Sequence, residues 1–209
     1  MKLPEKTIER LSVYRRLLNM RGYSADSFVY SHELAEMVFG TAAQVRRDLM
    51  VLGVTGNSKL GYRIGPLVEA ISQFLDDPRG TRIVLVGVGD LGRAILGFMK
   101  GRSNALTLVG AFDSDAAKIG RLIHGYRCQS MDEVAGVVMS EGVQLAIVAT
   151  PAAAAQGVCD RLVAAGVRGI VNFAPAPVLV PAGVWIERVD IATALEKVAC
   201  LARGVGEVE

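Results

Sequence analysis

Residues 82–96 read Arg82-Ile-Val-Leu-Val-Gly87-Val-Gly89-Asp-Leu-Gly92-Arg-Ala-Ile-Leu96, and this stretch decides the fold of the second part of the chain. An apolar run precedes three glycines at G-x-G-x-x-G spacing, and a segment of helical composition follows. Gly87 permits a tight turn, Gly89 lets a phosphate approach the backbone, and Gly92 lets the helix pack closely on the strand. The free N–H groups and the dipole of that helix favour an anion. The predicted pyrophosphate contacts are Gly87, Gly89, Asp90, Leu91 and Gly92.

A carboxylate follows at the distance that a dinucleotide site requires. Asp113 ends the run Gly110-Ala-Phe-Asp113, 21 residues after Gly92, where an acidic side chain receives the ribose hydroxyls. Ser114 and Asp115 follow and no arginine is adjacent, so negative charge would repel a 2′-phosphate. We therefore predict NAD(H), with Asp113 and Ser114 at the ribose. An empty cleft, or one that takes another nucleotide such as a coenzyme A, is the alternative.

Beyond residue 80, apolar runs alternate with segments of helical length. The strand-like runs are 83–86, 106–112, 145–149, 169–171 and 184–186. This alternation is typical of a parallel sheet covered on both faces, so we predict a Rossmann-type α/β domain. Ligands of such sheets bind at the carboxyl ends of the strands. The further predicted cofactor contacts are Thr150, Pro151, Asn172, Phe173 and Ala174, with a core position as the alternative for Phe173.

The break between two domains is predicted at Asp76-Asp77-Pro78-Arg79-Gly80, where helical periodicity gives way to the strand pattern. The predicted domains are 1–77 and 78–209. Residues 1–75 contain 10 Lys+Arg against 7 Asp+Glu, and the remainder contains 13 against 14. The positive excess therefore lies in the N-terminal part. It is mild and does not by itself indicate a nucleic-acid partner.

Two short helices joined by a turn with glycine are predicted ahead of that break. Ser31 is the predicted N-cap of the first helix. Thr41 opens the second with a capping box in which the Gln44 side chain reaches back to the cap. The core-facing stripe of this second helix is Val45, Leu49 and Leu52. Arg46 and Arg47 then point outward, as in a helix-turn-helix whose arginines and glutamines contact bases or phosphates. An ordinary helical hairpin with solvated arginines is the alternative.

A glycine-rich segment, Gly53–Ile64, follows with Lys59 near its middle. It predicts a hairpin wing that lays a cation along a groove or a row of phosphates. Together with a first helix whose apolar stripe is Ile8, Leu11, Tyr14 and Leu18, it predicts an N-terminal winged-helix domain. The predicted DNA contacts are Thr41, Gln44, Arg46, Arg47 and Lys59.

The composition excludes several classes of protein. With 51% hydrophobic residues, 21% charged residues and a mean hydropathy of +0.36, the chain is globular rather than disordered. No run of 18 apolar residues and no apolar signal segment is present, so we expect a cytoplasmic protein without membrane contact. The three cysteines, Cys128, Cys159 and Cys200, are far apart and have no histidine at metal-ligand spacing. They predict reduced, structural thiols and no metal site.

Four segments together resemble the Rex-type redox-sensing repressors of bacteria, and the resemblance covers essentially the whole chain. The segments are Arg10-Leu-Ser-Val-Tyr14, Ala43-Gln-Val-Arg-Arg-Asp-Leu49, Gly110-Ala-Phe-Asp113 and Gly169-Ile-Val-Asn-Phe-Ala-Pro175. The resemblance implies a homodimer that represses genes from a palindromic operator and releases it when NADH replaces NAD⁺. It also implies that the C-terminal helix, here 192–203, is exchanged between subunits.

The same resemblance implies a switch that joins Arg16 of the first helix to Asp190 before the terminal helix. Relatives often place a tyrosine in the helix after the glycine loop, where this chain has Phe98. Because the phenol is missing, a relay that needs its hydrogen bond would be altered. A DNA-binding regulator with altered or lost NADH sensing is therefore an alternative.

An NAD-dependent oxidoreductase is the alternative from another class of protein. Residues 80–209 are taken up by the nucleotide fold, which leaves no substrate domain. Only His32 and His124 are available as the usual proton shuttles, and His32 belongs to the predicted helix-turn-helix. We therefore predict a regulator and no catalytic residue.

Overall fold

The computed structural model describes residues 3–101 and 105–204. The chain divides into two compact units, Met1–Pro78 and Arg79–Glu209. Each unit is described by itself below.

The first unit contains four helices and a two-stranded antiparallel sheet. Its elements are α1 (Glu5–Met20), β1 (Phe28–Val29), α2 (Ser31–Met37), α3 (Ala42–Val51), β2 (Tyr62–Arg63) and α4 (Ile64–Leu75). Apolar side chains from all four helices meet in one core, in which Leu11, Tyr14, Leu34, Leu49 and Leu67 are fully buried. Ile8, which the sequence placed in the apolar stripe of the first helix, is exposed, and Thr7 is buried in that helix instead.

The segment predicted as a hairpin wing is smaller than expected. Strand β2 pairs with β1, not with a strand of its own segment. Between α3 and β2 the chain forms a tight turn closed by two backbone hydrogen bonds between Asn57 and Gly61. Lys59 lies in this turn. Because the Asn57 side chain accepts the N–H groups of Lys59 and Leu60 at 2.8 and 3.1 Å, the turn needs no flanking strands to hold its shape.

The second unit is a seven-stranded sheet in the order β5-β6-β4-β3-β7-β8-β9. Its strands are β3 (Thr81–Val86), β4 (Leu106–Asp113), β5 (Leu122–Ile123), β6 (Tyr126–Ser130), β7 (Leu145–Val148), β8 (Gly169–Asn172) and β9 (Trp185–Arg188). All neighbours are parallel except β5 and β6. The β5–β6 hairpin was not among the strand-like runs identified from the sequence.

Helices cover both faces of this sheet. They are α5 (Asp90–Met99), α6 (Val134–Glu141), which follows a short 3-10 helix at Met131–Glu133, and α7 (Ala152–Ala165). Along β3 the buried side chains alternate: Val84 and Val86 pack with α6 and α7, and Ile83 and Leu85 pack on the face covered by α5. A strand buried on both faces must be apolar throughout, which explains the uninterrupted apolar run at residues 83–86.

The last helix, α8 (Ile191–Ala202), differs from the others because none of its residues is buried. Ile191, Leu195, Val198 and Leu201 lie on one side of it and are 55 to 66% exposed. None of the helices described in residues 3–101 and 105–204 is long and apolar enough to cross a membrane.

Candidate functional site

A cleft of about 750 Å³ opens where β3, β4, β7 and β8 end. From β3 the chain first adds strands on one side, beginning with β4, and then on the other side, beginning with β7. Ligands of open α/β sheets bind at such a switch point, at the carboxyl ends of the strands. Nine residues predicted as cofactor contacts line the cleft: Gly87, Gly89, Asp90, Leu91, Asp113, Ser114, Thr150, Pro151 and Phe173.

The three glycines of the loop meet three different steric requirements. Gly87 has φ +95°, and a Cβ there would lie 2.4 Å from the Ala149 carbonyl oxygen. A Cβ on Gly92 would lie 1.9 Å from the Gly87 oxygen, so Gly92 allows α5 to begin directly against the loop. A Cβ on Gly89 would meet nothing within 4 Å, because the open space beside it is the cleft. This is the space that a pyrophosphate needs at the start of α5.

Asp113 lies at the end of β4 with its carboxylate held by three donors. Oδ2 accepts the Val88 N–H at 2.8 Å and the Lys118 ammonium at 2.9 Å, and Oδ1 accepts the Asp115 N–H at 2.9 Å. Burial alone would raise the pKa of this carboxyl, but the three hydrogen bonds and the charge of Lys118 outweigh burial and lower it. Asp113 is therefore a carboxylate at neutral pH, as an acceptor of ribose hydroxyls must be.

Several lining residues were missed from the sequence. Lys118 follows Asp113 by five positions and lines the cleft. Helix α7 contributes Ala154, Gly157, Val158 and Arg161. These four positions follow i, i+3, i+4 and i+7 spacing, which marks one helix face, and this spacing is the signal that could have found them.

The residues at the ends of β7 and β8 fit a bound polar ligand at one position in particular. The Thr150 hydroxyl is buried and has no hydrogen-bond partner within the part of the chain that the structure describes. Buried hydroxyl groups are costly when unpaired, and Thr150 lines the cleft, so a polar ligand would supply what the protein does not. Phe173 lines the cleft and also packs against the core under α5.

Three predicted contacts do not line the cleft. Asn172 is fully buried, and its amide is used by its own turn, donating to the Ala176 oxygen at 3.1 Å and accepting the Ala174 N–H at 3.0 Å. Ala174 is buried in the core, and Gly92 is buried beneath the loop. Asn172 therefore stabilises the turn that carries Phe173, whereas the sequence predicted a polar contact to the cofactor.

Thr41 is the N-cap of helix α3, and its hydroxyl accepts the Gln44 N–H at 3.2 Å. The predicted capping box is only half present, because the Gln44 side chain turns away from the cap and donates to Asp48 Oδ1 at 3.0 Å. The cap expected at Ser31 is also wrong: Tyr30 caps α2, and Glu33 Oε2 accepts its N–H at 2.6 Å. Ser31 instead accepts a hydrogen bond from Arg46 at 3.1 Å.

The outward side of α3 carries the predicted DNA contacts. Arg46 and Arg47 are exposed, Gln44 is half-buried, and Thr41 is exposed at the helix start. Lys59 is exposed in the turn before β2, and its carbonyl oxygen accepts the Tyr30 hydroxyl at 2.9 Å, which ties that turn to the start of α2. Cationic side chains therefore stand on both α3 and the turn that follows it.

Asp48 anchors α3 to α1 and was not singled out from the sequence. Its side chain is 2% exposed and accepts Arg10 Nε at 2.6 Å and Nη2 at 2.8 Å, with the Tyr14 hydroxyl at 3.2 Å. Burial opposes ionisation, yet hydrogen bonds from Arg10 and Gln44 and the charge of Arg10 lower the pKa of Asp48. The pKa of Tyr14 is raised by burial and by the nearby carboxylate. This buried ion pair fixes the helix that carries the arginines.

The three residues of the implied switch lie as follows. Arg16 is exposed on α1, and Phe98 is 57% exposed on α5. Asp190 caps α8: its carboxylate accepts the Thr193 N–H at 3.0 Å and the Thr193 hydroxyl at 2.9 Å.

Cys128 and Cys159 are buried free thiols, and burial raises the pKa of Cys159 to about 11.

These features define a class of protein in which a helix-turn-helix unit precedes a Rossmann-type unit with a dinucleotide cleft. Two family models match accordingly, "Putative DNA-binding protein N-terminus" over residues 2–49 and "CoA binding domain" over residues 79–176. The second model covers the glycine loop and Asp113.

The chain belongs to the Rex family of redox-sensing transcriptional repressors. It is 39% identical to the repressor Rex of Roseiflexus sp. over 90% of this chain and 85% of that protein. It is 40% identical to Rex 2 of Enterococcus faecalis over 93% of this chain and 91% of that protein. Rex of Carboxydothermus hydrogenoformans is also 40% identical, over 93% and 94%. These relatives are named repressors, not enzymes, which decides against the oxidoreductase alternative.

Solved structures agree with this assignment. RSP in complex with β-NAD⁺ and operator DNA superposes with a TM-score of 0.89 at 27% identity, over 98% of this chain and 94% of that one. RSP in complex with β-NADH gives a TM-score of 0.83 at 26% identity, over 98% and 96%. RSP is a Rex-family repressor.

Proposed function

We propose that this protein is a transcriptional repressor that binds operator DNA through its first unit and NAD(H) through its second, and that it leaves the operator when NADH binds. The observation that carries the proposal is the match to RSP, a repressor whose structures contain NAD⁺ with operator DNA in one case and NADH in another. Its relatives are bacterial repressors, and a repressor of bacterial genes acts in the cytoplasm.

The second unit would hold the cofactor along the carboxyl edge of the sheet. The N–H groups at the start of α5 would bind the pyrophosphate beside Gly89. Asp113 would accept hydroxyls of the adenosine ribose, with Ser114 beside it. Thr150, Pro151 and Phe173 would lie toward the nicotinamide end, where the orphaned Thr150 hydroxyl would gain a partner. When bound, the cofactor supplies no reaction here; its oxidised and reduced forms differ in charge and shape, which is what a sensor must distinguish.

The first unit would place α3 in the major groove. Thr41 and Gln44 lie in its first turn, the part of a recognition helix that contacts base edges. Exposed Arg46 and Arg47 follow, and each can reach a guanine edge or a phosphate. Lys59 would contact a phosphate or the minor groove from its turn. We propose these five residues as the DNA contacts.

A second copy of the chain completes the proposal. Within residues 3–101 and 105–204, the apolar side of α8 is left exposed, and a 12-residue helix is marginal in water without packing. We propose a homodimer in which a partner covers this side. A two-fold dimer presents two copies of α3, so its operator would be palindromic.

The coupling between cofactor and DNA is proposed to pass through Arg16 and Asp190. Asp190 already serves as the cap of α8. Thr193 uses two of the roughly four acceptor positions of this carboxylate, so Arg16 could pair with Asp190 without removing the cap. Phe98 provides no hydroxyl to this relay, which leaves a regulator with weaker NADH sensing as the second candidate.

Fluorescence anisotropy with a palindromic operator probe at fixed salt tests the proposal. NADH should weaken operator binding at least tenfold, a coupling of about 1.4 kcal/mol, and NAD⁺ should not. Coenzyme A serves as the competitor that distinguishes the other nucleotide class. Arg47→Ala should weaken operator binding and, if Arg47 contacts a phosphate, reduce the salt slope by about one.

Each failure identifies a different error. Tight operator binding that ignores both cofactors would leave a regulator without redox sensing. Release by coenzyme A in place of NADH would replace the cofactor and keep the fold. Absence of specific DNA binding would remove the repressor proposal itself.

A further inference from the structure

The cation beside Asp113 is the feature that the proposed function does not explain. A carboxylate offers about four acceptor positions. Three are taken on Asp113: two on Oδ2, by Val88 N–H and Lys118, and one on Oδ1, by Asp115 N–H. A ribose diol that bonds to both oxygens needs one free position on each. Oδ1 has one free, and Oδ2 has none while Lys118 stays.

Lys118 is the only one of these three donors that can move aside. The other two are backbone N–H groups fixed by the glycine loop and by the turn after β4. The Lys118 side chain is 24% exposed, and it carries its ammonium on a flexible four-carbon stem. A second acceptor is close, because Asp115 Oδ2 lies 3.8 Å from Nζ. Displacement by a ribose would therefore leave the ammonium in the wall of the cleft, beside the sugar.

The charges near Asp113 act differently on a ribose that carries a 2′-phosphate and on one that does not. Asp113 and Asp115 repel a phosphate, and Lys118 offsets one of the two negative charges. Arg161 also lines the cleft, but it is held by the Met131 oxygen at 2.8 Å and by Asp132 at 3.2 Å. Lys118 is therefore the cation best placed to answer a 2′-phosphate.

We propose that Lys118 is a specificity-determining residue that narrows the preference of this cleft for NADH over NADPH. The inference rests on the proposed function, since it takes the cleft as a dinucleotide site with its adenosine ribose at Asp113. It modifies the expectation from the sequence, which weighed the acidic pair and the absence of an adjacent arginine but not the lysine five positions on. With Lys118 in place, the cleft binds NADPH measurably, though more weakly than NADH.

Direct binding of NADH and NADPH to the full-length protein tests this, with cofactor fluorescence as the readout and no DNA present. In Lys118→Met the dissociation constant for NADPH should rise about tenfold or more, equivalent to about 1.4 kcal/mol, and that for NADH should stay within about threefold. Lys118→Arg keeps the charge and should keep NADPH binding. Arg121→Met is the matched control, because Arg121 is an exposed cation in the same segment that does not line the cleft.

The outcomes separate this inference from the function on which it rests. Equal loss of NADH and NADPH in Lys118→Met would make Lys118 a support for Asp113 only and would overturn the inference. Unchanged binding of both, or a wild-type protein that binds NADH but gives no NADPH signal, would also overturn it. A wild-type protein that binds neither would overturn the cofactor assignment, and this inference with it.

Discussion

Replacing Asp48 by alanine should loosen the attachment of α3 to α1. Asp48 is 2% exposed and accepts two hydrogen bonds from Arg10, with Tyr14 and Gln44 on the remaining positions. Removal of one partner of a buried ion pair costs about 3 to 5 kcal/mol, because the other charge is left unpaired. The Arg10 side chain is 24% exposed and can regain some water. We therefore expect the low end, about 3 kcal/mol.

Hydrogen–deuterium exchange of the full-length protein measures this cost locally. A loss of about 3 kcal/mol corresponds to somewhat more than hundredfold faster exchange of the amides in α1 and α3. The matched control is Asp26→Ala, which breaks the exposed Arg63–Asp26 pair of the same unit and should cost less than about 1 kcal/mol.

A double variant distinguishes the effect of an unpaired charge from a general loss of folding. Arg10→Met with Asp48→Leu removes both charges and fills the space, so it should recover much of the protection. Equal exchange in Asp48→Ala and Asp26→Ala would refute the reasoning. So would a double variant as unprotected as the single one, because the penalty would then not come from an unpaired charge.

Two further predictions concern the loop and acid stability. Gly89→Ala should weaken NADH binding, because its Cβ would enter the open cleft, and should leave the thermal unfolding of the second unit unchanged. Gly92→Ala should lower the melting temperature, because its Cβ would lie 1.9 Å from the Gly87 oxygen. Trp185 fluorescence follows the unfolding of both variants. Similar melting curves for the two variants would contradict this. The folded-state pKa of Asp48 is lowered, so its stabilisation is present above the unfolded value of about 3.9 and is lost as pH falls through the folded value. The difference in exchange protection between wild type and Asp48→Asn, corrected for intrinsic rates, should therefore shrink from pH 6 to pH 3, and a constant difference would exclude Asp48 as its source.

The glycine loop and Asp113 could be identified from the sequence because their chemistry depends on spacing along the chain. A turn, a helix start and the end of the next strand are brought together by one βαβ unit, so a count of residues is enough. The same holds for Thr41, whose cap is closed three residues later.

Asn172 shows where that reasoning stops. The rule about strand ends places a residue at the edge of the sheet, but it does not give the direction of its side chain. Here the amide bonds to its own turn. Asp48 shows a second limit: its partners on α1 lie 34 and 38 positions away in the chain, so its burial depends on packing that no local pattern records. The β5–β6 hairpin, with strands of 2 and 5 residues, is short enough to resemble a loop.

The exposed apolar side of α8 affects how newly made chains mature in a cell. If the helix acquires its packing only from a second copy, the last step of maturation is a collision between two newly made chains, and its rate rises with the square of their concentration. A cell with few copies of this protein would then hold a larger share of chains with a bare, aggregation-prone helix. The dosage of its own gene would thus set how much of the regulator is competent, before any cofactor acts on it.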